Sequence, residues 1–179
     1  MASTQEQYQQ EINICKEIFV RKNSDYGTSW RLFRPSSLTD QLFIKAQRIR
    51  NIELSGNNNV GDDIISEFRG IVNYAVMALV QLKHYSNEKF GQSLDALLAE
   101  YDKCVEETYQ LMVLKNSDYS EVWRDMRISS FTDMILVKLA RIKQIEDNEG
   151  NTSVSEGADA NYQDILNYAI FALIRLNEK

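Results

Sequence analysis

The chain is poor in the residues that punctuate loops, with one proline and seven glycines in 179 residues. That shortage excludes a collagen-like, linker-rich or disordered chain. It also leaves a many-stranded sandwich or barrel without the turn residues it requires. Cysteine is nearly absent. Cys15 and Cys104 lie in helical, partly apolar runs, too few for a disulfide framework and without metal-ligand spacing, so they read as reduced thiols of a cytoplasmic protein. His84 is the single histidine, which excludes a His-rich zinc site and a nucleophile–histidine pair in each half. The longest apolar run, Tyr74 to Val80, falls far short of a bilayer span. The first ten residues are polar and lack the apolar core of a signal peptide, so no membrane partner is expected. Basic residues number 20 against 26 acidic, a net charge of −6. Non-specific duplex DNA binding, which needs a basic surface to neutralise phosphates, is not expected. A small phosphate ligand held by a few lysines or arginines is compatible with that balance.

What is present is a repeat. Residues 22–34 read KNSDYGTSWRLFR and residues 115–127 read KNSDYSEVWRDMR, identical at eight of thirteen positions. SSLTDQLFIKAQRIRNIE at 36–53 returns as SSFTDMILVKLARIKQIE at 129–146, and NYAVMALVQL at 73–82 returns as NYAIFALIRL at 167–176. The chain is a tandem duplication, with a first repeat at 1–85, a connector at 86–92 and a second repeat at 93–179. Apolar spacing predicts three helices in each copy. The first spans 7–21 and again 94–114. The second opens at Ser37 to Asp40 and at Ser130 to Asp133, both Ser-x-x-Asp variants of a capping box, and runs through Ile52 and Ile145. The third, 64–83 and 162–176, is apolar around most of its circumference and belongs in the middle of a bundle. The expected fold is all-α: two tandem three-helix repeats packed as one bundle with pseudo-two-fold symmetry. A further homo-oligomer is left open.

The doubled segment carries the densest chemistry. Lys22, Asp25, Tyr26, Trp30, Arg31 and Arg34 are matched by Lys115, Asp118, Tyr119, Trp123, Arg124 and Arg127, in a stretch expected to be irregular. Lysine and arginine suit a phosphate and the aromatics suit a stacked base. The plainer alternative is helix closure with a tryptophan anchor. The second helix places Lys45 and Arg48, and likewise Lys138 and Arg141, at i and i+3 on one face. They suit phosphates, or alternatively pair with Glu53 and Glu146. In the last helix Asp164 precedes Asn167-Tyr168 by one turn, whereas the first copy has Gly70 ahead of Asn73-Tyr74. Two oxygen-bearing side chains on one face suit magnesium, or the asparagine is a buried structural hydrogen-bonding residue. Acidic residues also gather around the second copy's loop, from Glu146 to Asp159.

These motifs together resemble a helical nucleotide-modification-associated family of bacterial and phage proteins. Its members combine a KNxDYG segment, a Lys-x-x-Arg helix and an Asp-x-x-Asn-Tyr helix. The matching residues are Lys22 to Gly27, Lys45 with Arg48, Lys138 with Arg141, and Asp164, Asn167 and Tyr168. More distantly, the chain is similar to the MazG-type all-α nucleotide pyrophosphohydrolases. The resemblance implies nucleotide binding through Lys22, Asp25, Tyr26, Arg31, Lys45, Arg48, Lys115, Asp118, Tyr119, Arg124, Lys138 and Arg141. It implies magnesium-dependent hydrolysis of a nucleoside triphosphate, with metal in the second half at Asp118, Asp164 and Asn167. The alternative is a non-enzymatic helical interaction module.

Overall fold

A serine opens the first helix of each half. The computed structural model describes residues 2–56, 63–85 and 92–178, so all of the connector except Gln92 lies outside the described residues. Ser3 accepts from the Glu6 amide in a complete capping box, and Ser93 accepts from the Ala96 amide. The helices that follow are α1 (Thr4–Tyr26) and α4 (Leu94–Tyr119). Both run through Lys-Asn-Ser-Asp-Tyr, so the motif expected to be irregular is the last helical turn and a half. Asparagine, serine and aspartate are poor helix formers but do not stop a helix. Ser24 and Ser117 turn their hydroxyls back onto the Val20 and Leu114 carbonyls instead. Closure comes one residue later, at Gly27 with φ +60° and at Ser120 with φ +56°. With ψ at −142° and −162°, both sit in a region that glycine occupies without strain and serine does not.

A short 3-10 turn follows in each copy, Ser29–Leu32 and Val122–Asp125, and then the second helices, α2 (Pro35–Ser55) and α5 (Ile128–Asp147). These begin two residues before the Ser-x-x-Asp segments, which therefore cap nothing. Arg34 and Arg127 hold the N-cap positions without a side-chain cap. Pro35 takes the first helical position, where its missing N–H costs no hydrogen bond. The third helices are α3 (Ile64–His84), capped by Asp63, and α6 (Ala158–Asn177), which starts four residues earlier than its apolar spacing indicates.

The helices α3 and α6 pack against each other in the centre, and each carries its own second helix, α2 or α5, which also meet. The first helices α1 and α4 lie outside and touch both central helices. Ile71, Val72 and Ala75 from one copy and Ile165, Leu166 and Ala169 from the other are fully buried. All-α architecture and the tandem bundle are as the repeat implied. No described helix is long and apolar enough to cross a membrane.

Matched hydrogen bonds fasten the halves together. Tyr8 donates to Asn167 Oδ1 at 2.8 Å, and Tyr101 donates to Asn73 Oδ1 at 2.8 Å. The amide groups of the same asparagines donate to backbone carbonyls, Asn167 to Thr108 and Asn73 to Cys15. Thr39 donates to Glu146 at 2.7 Å and Thr132 donates to Glu53 at 2.8 Å, stitching α2 to α5. Burial pushes the Tyr8 and Tyr101 hydroxyls well above their ordinary range, and the Cys15 thiol up to about 12, so these groups stay neutral.

Candidate functional site

Three cations and one acid recur around the last helix of each repeat, and their pairing differs. In the second repeat, Lys115 from α4 and Lys138 from α5 converge on Asp164 of α6, at 2.6 and 2.7 Å. Arg141, one turn beyond Lys138, forms no salt bridge among the described residues and stays exposed. Burial pushes the neighbouring Tyr168 hydroxyl up to about 12, with the Asp164 charge adding to the shift and Arg141 opposing it. In the first repeat the acid stands one helical turn earlier. Glu67 of α3 receives Arg48 at 2.5 Å and Lys45 at 3.5 Å. The position matching Asp164 is Gly70, where a Cβ would lie 2.8 Å from Lys45 Cε, so the lysine stem occupies the space an aspartate would need. Tyr74, the counterpart of Tyr168, lies under the Lys45 ammonium at 5.6 Å, and burial raises its hydroxyl's pKa ahead of the Glu67 charge. In turn, Glu67's counterpart in the second repeat is Asn161. The signal for the displaced acid was one residue triplet away, in Glu67-Phe68-Arg69-Gly70.

The duplicated arginines of the Trp-Arg pair serve the fold. Arg31 is 1% exposed; it donates to Glu100 at 2.6 Å, to Gln92 at 2.7 Å and to Gln81 at 3.0 Å. It is a buried tie to the other repeat's first helix, with no face left for a phosphate. Arg124 is shallower and ties Thr4 and Gln7 of α1 to Glu121 and Glu178. Both guanidinium groups also lie against their tryptophan rings, at 5.0 and 4.3 Å. Asp25, Tyr26, Asp118 and Tyr119 are exposed on the outer turn of α1 and α4. Lys115, Lys138 and Asp164 therefore come together, while Asp118 joins no ion pair among the described residues.

The donor set around Asp164 does not fit magnesium. Both carboxylate oxygens already face lysine ammonium groups, and Asn167 is spent on Tyr8 and the Thr108 carbonyl. A hard divalent cation needs about six oxygen ligands, and it would meet two positive charges here. Among the described residues no three His, Cys, Asp or Glu side chains cluster in a way that holds a metal.

Two clefts flank these clusters. One, of about 490 Å³, is polar and belongs to the second repeat. Lys138, Arg141 and Gln144 of α5 form one wall, and Thr152, Ser155, Glu156 and Asn161 face them. The other, of about 480 Å³, is mainly apolar and belongs to the first repeat, between the end of α1 and α3.

The family-model comparison matches nucleotide modification associated domain 1 twice, over residues 22–82 and 115–176. These two matches span more than half of the chain, and the protein belongs to that family as a tandem member. No curated protein and no solved structure matches it.

Proposed function

We propose that the protein binds a nucleotide, with its phosphate at the polar cleft of the second repeat. The single observation that supports this reading is the freeing of Arg141. Arg48, its counterpart, is held by Glu67, whereas Asn161 stands opposite Arg141 and leaves the guanidinium uncommitted in the cleft. An uncommitted planar guanidinium is suited to bidentate phosphate recognition. Lys138 beside it adds positive charge, and Thr152 and Ser155 offer hydroxyl donors. Glu156 on the same wall suits ribose hydroxyls. The proposal stops at binding. Hydrolysis of the MazG type would draw on a metal, and Asp164, the partner of Lys138 on the cleft wall, is already shared by two lysines.

The test is calorimetry with nucleoside mono-, di- and triphosphates, each with and without magnesium. The expected result is binding independent of magnesium, weakened about tenfold or more by Arg141→Ala and unchanged by Arg48→Ala. No heat at millimolar nucleotide would overturn the proposal. It would favour the interaction-module reading, to which the buried uses of Arg31, Asn73 and Asn167 lend weight.

A further inference from the structure

The first repeat carries a pocket beside its tryptophan, where the second repeat stacks a ring on the matching tryptophan. Its walls are Phe19, Tyr26, Trp30, Phe33, Tyr74 and Met77. Its volume falls in the range of small-ligand sites, roughly 300–1,000 Å³. In the second repeat the residue matching Met77 is Phe171, which lies flat on Trp123 with ring centroids 4.3 Å apart and planes 7° from parallel. The tryptophan there already has a stacked aromatic partner from inside the protein. Trp30 has an edge contact with Phe19 at 6.1 Å, and Met77 borders the space beside it.

Two polar atoms in this wall are unpartnered. Trp30 is 9% exposed, and among the described residues its indole N–H has no acceptor and Asn23 Oδ1, also shielded, has no donor. One donor and one acceptor bordering an aromatic-walled space match the mixed edge of a heterocycle. Trp123 also has an indole N–H without an acceptor among the described residues, and Asn116, the counterpart of Asn23, turns its amide N–H onto Met112 sulfur. At the rim stands Lys22. Its counterpart Lys115 is neutralised by Asp164, but Gly70 supplies no carboxylate, and Lys22 has no anionic partner among the described residues.

We infer that this first-repeat pocket binds a planar heteroaromatic ring bearing an anionic group, the chemistry of a nucleoside monophosphate, with Lys22 meeting the anion. The inference does not rest on the second repeat's cleft, since it uses another repeat and other residues. It places a complete site, ring and anion together, in the copy where Met77 borders the space beside the tryptophan.

Titration of the full chain followed by NMR of its two tryptophan indole N–H signals, assigned with Trp30→Phe and Trp123→Phe, provides the test. The probes are adenosine monophosphate, thymidine monophosphate, adenosine and inorganic phosphate. Both monophosphates should move the Trp30 signal and leave that of Trp123 in place; adenosine should bind about tenfold more weakly and phosphate alone should have no effect. Lys22→Ala, an exposed change that leaves the core intact, should reduce the monophosphate to the affinity of adenosine. Met77→Phe should abolish the shift by installing the second repeat's ring. Arg141→Ala should leave the Trp30 response unchanged, which separates this site from the polar cleft. A Trp30 signal unmoved at millimolar monophosphate, or a response indifferent to Lys22→Ala, would overturn the inference.

Discussion

Arg31 and Arg124 hold the same place in the two repeats and lie at different depths. Arg31 is sealed between Trp30, Gln81 and Glu100, whereas Arg124 keeps a quarter of its side chain in solvent, at 26%. The difference follows from their partners. Glu100 on α4 supplies a carboxylate where the matching residue on α1 is the neutral Gln7, and Gln81 braces Arg31 from α3 while also donating to the Arg31 and Phe33 carbonyls. A duplicated motif thus carries a core element in one copy and a surface network in the other. Identity of sequence preserves the position of a side chain, but its energetic weight is set by what arrives from elsewhere in the chain.

That contrast predicts its own largest effect. Arg31→Ala should destabilise the protein by about 3 kcal/mol, since it removes one member of a largely buried ion pair. Arg124→Ala should cost about 1 kcal/mol or less, as exposed pairs do. Urea denaturation of the two variants measures the gap, and equal losses would erase the distinction. The helix ends offer a second comparison. Ser120 occupies the backbone conformation that Gly27 fills in the first repeat, so Ser120→Gly should gain about 1–2 kcal/mol and Gly27→Ser should lose a similar amount. A chemical-denaturation midpoint that moves in the same direction for both would contradict the strain argument.

Gly70 supplies a smaller test. An alanine there gains about 1 kcal/mol of helix propensity, and the atoms it displaces, Lys45 Cδ and Cε at 2.9 and 2.8 Å, belong to a flexible side chain. A net gain below about 1 kcal/mol is therefore expected from thermal melting. A loss would show that the lysine stem cannot move away from Tyr74. The smallest effect concerns Glu53, whose carboxyl is raised above its ordinary pKa by burial, against the opposing hydrogen bond from Thr132. Because the folded chain holds that proton to higher pH than the unfolded chain, its favourable contribution is complete below the ordinary carboxylate pKa and is lost as pH rises through the raised value. Glu53→Gln keeps an acceptor for Thr132 and removes the charge. It should therefore leave stability unchanged below the carboxylate range and raise it slightly at neutral pH, which melting curves across pH would record.

The repeat made much of the architecture legible. Similarity between residues 36–53 and 129–146 meant that any helix found in one copy had to recur in the other, and an all-apolar third helix had to be central. Helix ends were harder to read. Nothing in Asn-Ser-Asp indicates that a serine hydroxyl will fold back on a carbonyl and let the helix continue, and Ser-x-x-Asp looks like a cap even where proline has already begun the helix. In the candidate site, Lys138, Arg141 and Asp164 were visible as residue types at helical spacing. Their pairing was not. Gly70 reads as the loss of an acid, yet the acid stands one turn earlier at Glu67, and its role is revealed by the ion pairs it makes with Lys45 and Arg48. Sequence offers Arg31 as a phosphate contact and leaves Asn167 between a metal ligand and a structural hydrogen-bonding residue, because their partners, Glu100 and Tyr8, are 69 and 159 residues distant in sequence.

The crossed bonds between Tyr8 and Asn167, and between Tyr101 and Asn73, have a consequence for how many copies such a chain can contain. Each first helix satisfies an asparagine on the other copy's last helix, so the bonding scheme closes only in pairs. A lone repeat would have to find a second molecule, and its assembly would depend on concentration; fusing two copies replaces that encounter with a fixed effective concentration. A third repeat added in tandem would have no partner left for its tyrosine or its asparagine. Growth of this architecture therefore proceeds by even numbers, unlike solenoids, in which every added unit stacks on the last.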